Sequence, residues 1–88
     1  MIKSMYFVYL IKSLFSDRKC LGCTSDLARR LREHNNGLVK STKQFKPWKL
    51  IYYEAFLNKY DAFNREKELK TTYTKKKYLL GRLKNSLK

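Results

Sequence analysis

The sequence predicts an α+β fold, a small, mostly antiparallel three-stranded sheet flanked by helices in the order ββαβαα. The runs Tyr6 to Lys12 and Trp48 to Phe56 are rich in β-branched and aromatic residues, and other segments combine helical spacing of apolar residues with capping residues at their starts. The chain has 88 residues, enough for one modest hydrophobic core but not for two. We therefore expect residues 1–88 to form a single domain.

The first two elements are predicted to form a hairpin. Residues Tyr6 to Lys12 are apolar on both alternating faces, which is typical of a central strand covered on both sides. A turn from Ser13 to Asp17 separates this strand from a returning one, Lys19 to Thr24. The returning strand contains Cys20 and Cys23, whose odd separation places them on opposite faces. We expect two packed thiols there, not a disulfide or a shared metal site.

A helix and a basic loop are predicted to follow the hairpin. Ser25 or Asp26 can cap a helix that runs to about Asn35, and Gly37 stops it. Residues 38–47 have neither the helical nor the strand period, which indicates an exposed loop. Its three lysines are candidate contacts to a nucleic-acid backbone. They are Lys40, Lys43 and Lys46.

The third strand is predicted from Trp48 to Phe56, and two helices complete the domain. Asn58 can cap a helix that runs through Lys70, and Thr74 can cap the last one. The last helix is expected to have an apolar side formed by Leu79, Leu83 and Leu87.

The charge predicts a polyanionic partner. Lys and Arg number 21 against 7 Asp and Glu, a formal net charge of +14 at pH 7, and a polyanion would relieve the self-repulsion. Nucleic acid is expected ahead of a membrane surface, because no helix has one wholly basic and one wholly apolar face. The longest apolar run, Met5 to Ile11, is too short for a membrane span and lacks a cleavage site, and two cysteines fit a reducing compartment. We expect a cytoplasmic protein.

One carboxylate is unusual on the second helix. Glu66 falls between Ala62 and Leu69 on the stripe that is predicted to face inward. An inward carboxylate has to meet a basic group, have a raised pKa or bind a cation. A structural ion pair with a neighbouring arginine and a metal site are both open at this point.

On the first helix, Arg30 and His34 lie four residues apart and so share a face. An arginine holds phosphate oxygens bidentately, and an imidazole transfers a proton near neutral pH. The pair suits a phosphate ligand, although a surface histidine beside an arginine gives the same pattern without a function.

These segments together resemble the GIY-YIG nuclease family, specifically the short stand-alone proteins similar to the nuclease module of the bacterial excinuclease C subunit. The first triplet of the family corresponds to Phe7-Val8-Tyr9 and the second to Cys20-Leu21-Gly22. Residues 24–36, 47–52 and 65–70 also follow the family pattern, so the resemblance covers nearly the whole chain.

The resemblance implies a metal-dependent DNA endonuclease that hydrolyses phosphodiester bonds, with branched or damaged DNA from repair or recombination as its expected substrate. It implies one divalent cation, Mg²⁺ or Mn²⁺, held by Glu66. It also implies a phosphate contact from Arg30 and a hydroxyl of Tyr9 beside the attacking water. His34 corresponds to a hydrogen-bonding residue that orients this water or shares its proton, and Asn85 matches a family asparagine by spacing.

The chain departs from the family at Cys20, where the second triplet normally begins with a tyrosine that acts as general base or positions water. A thiol is shorter than a phenol and hydrogen-bonds weakly. Gly22, on the same face, leaves room for backbone or nucleic acid to approach closely, and we count it with Arg29 among the nucleic-acid contacts. Two alternatives to a nuclease stay open, a DNA-binding module without its catalytic base and an RNA-binding protein.

Overall fold

The sheet is built around the strand that the sequence predicts to be covered on both faces. The computed structural model describes residues 4–88. In it, β1 (Tyr6–Ser13) lies between β2 (Lys19–Thr24) and β3 (Trp48–Phe56) and pairs antiparallel with both. The α+β prediction and the order ββαβαα are confirmed, and the sheet is wholly antiparallel.

Three helices flank this sheet: α1 (Leu27–Asn35), α2 (Lys59–Thr71) and α3 (Tyr73–Arg82). The cap of α1 is Asp26, whose carboxylate accepts the backbone N–H of Arg29 at 3.0 Å. Asn58 caps α2 as predicted, because its side-chain oxygen accepts the N–H of Tyr60 at 2.8 Å. Local capping chemistry therefore sets where both helices begin. In the described part of the chain, no helix is long and apolar enough to cross a membrane.

The prediction for the last helix was wrong at both ends. Thr72 is the cap, because it has the extended backbone that a cap needs, whereas Thr74 already lies within the first turn. The helix ends at Arg82, so Leu83 and Leu87 lie beyond it in a C-terminal turn. Of the three leucines, only Leu79 is buried in the core.

The two faces of the sheet carry different cores. Against α2 and α3 lies an entirely apolar cluster of Val8, Leu10, Leu21, Ala62, Leu69 and Leu79. Against α1 lies a smaller cluster of Tyr9, Ile11 and Trp48, with Leu27 and Leu31 packed on it. Cys20 packs on the α1 side and Cys23 on the other. The prediction that the two free thiols face opposite ways is confirmed.

The loop between α1 and β3 is anchored to the sheet. Residues 43–45 form a 3₁₀ turn, and Thr42 before it is buried. The buried hydroxyl of Ser13 donates to the carbonyl of Phe45 at 2.7 Å, and the N–H of Leu14 donates to the carbonyl of Pro47 at 2.9 Å. The lysines of the loop are exposed as predicted, but its backbone is fixed against the end of β1.

Candidate active site

Tyr9 and Gly22 face each other across β1 and β2. The ring of Tyr9 lies over the Gly22 backbone so closely that a Cβ at Gly22 would collide with Cζ and the hydroxyl oxygen of Tyr9. Glycine is therefore required at this position so that the ring of Tyr9 can approach β2 this closely. The sequence predicted that backbone or nucleic acid would approach closely here, and the structure places the ring of Tyr9 in this space.

His34 is buried beneath Tyr9 and has hydrogen-bond partners on both ring nitrogens. Nε2 lies 3.0 Å from the hydroxyl of Tyr9, and Nδ1 lies 2.7 Å from the hydroxyl of Thr42. The Thr42 hydroxyl donates its proton to the carbonyl of Val39 at 3.4 Å. This assigns the proton of His34 to Nδ1, which donates to Thr42, and leaves Nε2 to accept from Tyr9.

Burial determines the protonation of this chain of hydrogen bonds. It lowers the pKa of His34 below its ordinary value of 6.5, and the charge of Arg30 lowers that pKa further. Burial also raises the pKa of Tyr9, although Arg30 opposes this shift. At neutral pH the imidazole is therefore uncharged and the phenol keeps its proton. The oxygen of Tyr9 keeps lone pairs that can accept from another donor.

Arg30 extends from α1 to the same tyrosine, since it affects the Tyr9 pKa through a hydrogen bond and through its charge. Its Nη1 also forms an ion pair with Oε1 of Glu33 at 3.0 Å, and the two side chains are 37% and 32% exposed. An ion pair this exposed adds little stability, so a phosphate can displace Glu33 from the guanidinium.

A groove of about 290 Å³ opens beside Arg30. Its lining comes from α1, from the adjoining ends of β1 and β2, and from α2. The groove is lined by Tyr6, Cys23, Thr24, Ser25, Arg29, Arg30, Glu33 and Phe63.

Glu66 is partly buried, with 23% of its side chain exposed, and its carboxylate accepts from Nζ of Lys70 at 2.9 Å. The basic partner is thus a lysine one turn along α2, not the arginine that the sequence suggested. The charge of Glu66 raises the pKa of Tyr9, Cys20 and Cys23, so the carboxylate lies within electrostatic reach of all three.

The donor set around Glu66 decides which metal could bind there. Within residues 4–88 no group of three or more His, Cys, Asp or Glu side chains is placed to hold a metal. A single carboxylate fits Mg²⁺ or Mn²⁺, which accept water and phosphate oxygens as their remaining ligands. It does not fit structural zinc, which needs four protein ligands.

Cys20 lies on the Tyr9 face, partly buried, with its thiol 3.7 Å from the carbonyl oxygen of Leu21. Burial raises its pKa, opposed by the charges of Lys70 and Arg30. Cys20 is therefore a protonated thiol at neutral pH, although it lies within the electrostatic reach of Arg30 and Glu66.

The fold brings Tyr9, Cys20, Arg30, His34 and Glu66 to one region. Of the other expected site residues, Gly22 lies against Tyr9 in the same region and Arg29 lines the groove beside Arg30. Asn85 is exposed in the C-terminal turn, and no described residue forms a hydrogen bond with its side chain. The basic members are exposed, and for them a nucleic-acid contact stays a prediction. They are Arg29, Lys40, Lys43 and Lys46.

Two polar residues that sequence reasoning missed hold the site in place. The side-chain amide of Asn35 pairs with both the N–H and the carbonyl of Trp48, which fixes the end of α1 on β3. The indole N–H of Trp48 donates to the carbonyl of Thr42 at 2.9 Å. Thr42 has no sequence signal, because its partner His34 is brought to it only by the folding of the loop.

Comparisons with known proteins identify the fold. The family model described as the GIY-YIG catalytic domain matches residues 5–79. The chain is 36% identical over 80 residues to a UPF0213 protein of Staphylococcus saprophyticus, a match that covers 85% of this chain and 92% of the relative. It is 37% identical over 84 residues to a UPF0213 protein of Bacillus pumilus, covering 90% and 81% of the two chains.

A UPF0213 protein of Clostridium perfringens is 39% identical over 71 residues, covering 75% of this chain and 71% of the relative. The names of these relatives state no activity. The family match includes Tyr9, Cys20, Arg30, His34 and Glu66 but ends before Asn85. With a family model that spans most of the chain, and with the predicted strands and helices in place, this protein belongs to the GIY-YIG family and has its nuclease-type fold.

Proposed function

We propose that this protein is a metal-dependent DNA endonuclease that hydrolyses phosphodiester bonds at the region around Tyr9. The observation that supports the proposal best is the buried chain of hydrogen bonds from Tyr9 through His34 to Thr42, with Arg30 beside it. These hydrogen-bonded groups supply a proton acceptor and Arg30 supplies an adjacent cation, and phosphodiester hydrolysis uses both. The membership of the GIY-YIG family supports the same reaction class.

The proton of the attacking water would leave through Tyr9. The oxygen of Tyr9 accepts this proton while its own hydroxyl proton passes to Nε2 of His34, 3.0 Å away. Neutral His34 can accept it, because Thr42 holds the other ring proton on Nδ1. Water thus loses one proton, Tyr9 is unchanged, and His34 becomes an imidazolium.

The phosphate would be bound by Arg30. Its guanidinium exchanges Glu33 for the phosphate oxygens and stabilises the extra negative charge that develops during attack. Because Arg30 both lines the groove and interacts with Tyr9, a phosphate bound to it would be close to the proton acceptor.

Glu66 would hold the Mg²⁺ or Mn²⁺ ion through its carboxylate. When bound, the ion supplies charge stabilisation at the phosphate and lowers the pKa of a coordinated water. Lys70 has to release the carboxylate for this, which its 51% exposed side chain can do at little cost.

Cys20 does not prevent this route. Its thiol is protonated at neutral pH and acts neither as a base nor as a strong hydrogen-bonding group. In the proposed mechanism, the proton acceptor is His34 acting through Tyr9, so the missing tyrosine of the second triplet weakens water positioning without removing the base.

The second candidate is a DNA-binding module that does not cut. Two salt bridges favour it, since Glu66 is neutralised by Lys70 and Arg30 by Glu33. If these pairs persist when DNA binds, neither the metal nor the phosphate gains its protein ligand. The charge of +14 would then serve binding alone.

Cleavage of supercoiled plasmid and of branched duplex DNA, with Mg²⁺ or Mn²⁺, separates the two candidates. Wild type is compared with Glu66→Gln and with Asp61→Asn, a matched loss of one charge at an exposed position on α2. We expect wild type and Asp61→Asn to cut. Glu66→Gln should cut at least about 100-fold more slowly than wild type.

Binding to the same DNA in EDTA is measured for all three proteins. Equal binding without cleavage by any of them would establish the binding module. Tighter binding to structured RNA than to any of the DNA substrates would instead support an RNA-binding protein.

A further inference from the structure

An aromatic side chain lies in the groove beside Arg30. Phe63 of α2 lines the groove together with Arg29 and Arg30, and this residue is 49% exposed. Phe63 and Glu66 lie three residues apart on α2, so they share a face of that helix. Phe63 therefore lines the groove from the same face of α2 that carries the proposed metal ligand.

Phe63 is supported by a second exposed ring. Tyr60 packs edge to face against it, with centroids 6.4 Å apart and an interplanar angle of 85°. Nζ of Lys59 lies 5.4 Å from the centroid of the Tyr60 ring. Among the described residues, neither ring packs into the apolar clusters on the two faces of the sheet. Core packing therefore does not explain this pair of aromatic residues.

We propose that Phe63, braced by Tyr60, stacks on the base of an unpaired DNA nucleotide whose phosphate is bound by Arg29 and Arg30. An exposed aromatic ring beside cationic side chains is the arrangement that binds single strands, because every base has a π-face and every nucleotide a phosphate. In an intact duplex the faces of the bases are covered by their neighbours, so Phe63 would select frayed, flapped or single-stranded DNA.

This inference rests on the proposed function only for the identity of the ligand, and it names the substrate class of the groove. Glu33 also lines the groove and opposes an anion there, so the phosphate has to compete for Arg30. Stacking on Phe63 adds binding energy for an unpaired nucleotide. The bases within a duplex cannot make this contact because their faces are covered.

Fluorescence anisotropy in EDTA tests the proposal without any cleavage. Phe63→Ala, Phe63→Trp and wild type are titrated with a labelled single-stranded DNA and with a blunt duplex of the same sequence. We expect Phe63→Ala to weaken single-strand binding about 5- to 150-fold and to leave duplex binding unchanged. Phe63→Trp should bind the single strand at least as tightly as wild type.

Tyr78→Ala is the matched control, because Tyr78 is an exposed aromatic residue on α3 with the guanidinium of Arg82 5.7 Å from its ring centroid. It should bind both DNAs as wild type does. An equal loss in Tyr78→Ala and Phe63→Ala, or an equal loss on single strand and duplex, would overturn the proposal. Single-stranded RNA bound more tightly than the DNA, with a larger loss in Phe63→Ala, would overturn the assignment to DNA.

Direct contact is tested by the fluorescence of Phe63→Trp. The wild-type chain has a single tryptophan, Trp48, which is buried. Single-stranded DNA should quench the emission of the variant more strongly than that of wild type, and equal quenching would contradict stacking. If this quenching is observed and Glu66-dependent cleavage is not, the proposed nuclease activity fails while the base-stacking site stands. The reverse result removes the stacking site alone.

Discussion

The two faces of β1 carry different kinds of interior. Towards α2 and α3, Val8 and Leu10 enter a core without a buried polar side chain among its members. Towards α1, Tyr9 starts a chain of polar groups that continues through His34 to Thr42, all of them buried. Because side chains alternate along a strand, neighbouring residues of β1 supply the apolar core and the candidate site. We infer that one face provides the stability that the polar arrangement on the other requires.

Two arginines, one on each face of the sheet, also differ in how firmly they are held. Arg65 donates to both carboxylate oxygens of Glu54 and to Glu68 at 2.6 Å, and these contacts raise its pKa. Among the described residues, Arg30 has one carboxylate partner, Glu33, in a pair whose side chains are 37% and 32% exposed. Arg65 is committed to the packing of α2 on β3, whereas Arg30 is available to a ligand.

The largest expected effect comes from breaking the apolar face. Leu69→Ala removes a fully buried side chain between α2 and the sheet, and we expect a loss of about 2 to 5 kcal/mol in the free energy of unfolding. Urea denaturation measures it. Leu57→Ala, at a position that is 61% exposed, is the control and should change little. A loss below 1 kcal/mol for Leu69→Ala would contradict the view that this face holds the fold together.

The polar face is tested at Thr42. Thr42→Val keeps the shape but leaves Nδ1 of His34 without its acceptor, which we expect to cost about 1 to 3 kcal/mol of stability. The cleavage rate should fall by more than the loss of folded protein explains. His34 can then adopt the other tautomer, in which Nε2 no longer accepts from Tyr9. Thr42→Ser keeps the hydroxyl and should restore both. Equal cleavage by the valine and serine variants, measured below the unfolding transition, would contradict the proposed proton route.

These comparisons show which features could be predicted from the sequence. Strand alternation placed Cys20 and Cys23 on opposite faces, and capping residues located the starts of α1 and α2, since both signals act between neighbours in the chain. The predicted cap of α3, Thr74, was wrong because Thr72 and Thr74 are the same residue type and cap a helix equally well. The position at which α2 ends makes Thr72 the cap.

The missed features depend on tertiary contacts. The loop residue Thr42 reaches His34 only because the loop is fastened to the end of β1. The need for glycine at position 22 arises from the ring of Tyr9 on the adjacent strand. The spacing of Glu66 and Lys70, four residues apart on one helix, makes Lys70 a possible partner. This spacing does not exclude an arginine from another helix or strand, so the sequence could not decide between them.

Cys20 replaces a tyrosine that the family pattern places in the candidate site. We expect Cys20→Tyr to increase the rate of DNA cleavage. The family pattern places a phenol there, and we expect cleavage of the same DNA to rise about 10-fold or more, because the hydroxyl would position the water better than a thiol does. Initial rates of plasmid nicking measure this. Cys20→Phe adds the ring without the hydroxyl and should give no gain. A tyrosine variant no faster than wild type would remove the idea.

The polar face should also make stability depend on pH. The pKa of His34 is lowered in the folded protein, so the unfolded chain binds more protons in the window below 6.5. The free energy of unfolding should therefore fall as the pH is lowered from 7.5 towards 5.5. His34→Gln cannot be protonated and should show a flatter profile. Glu68 has a pKa lowered from 4.5 and titrates below this window, so it does not interfere. Parallel profiles for the two proteins would contradict the assignment.

The smallest effect is expected at the half-exposed pair that distinguishes Arg30 from Arg65. Glu33→Gln releases the guanidinium and removes a negative charge from the groove, so DNA binding in EDTA should tighten by about 2- to 5-fold, in line with the weak coupling of exposed ion pairs. Glu68→Gln removes the same charge from the Arg65 network and should leave binding closer to that of wild type. Raising the salt concentration should reduce the gain. If Glu33→Gln instead weakened binding, Glu33 would hold Arg30 in position, and the contrast between a committed and an available arginine would be wrong.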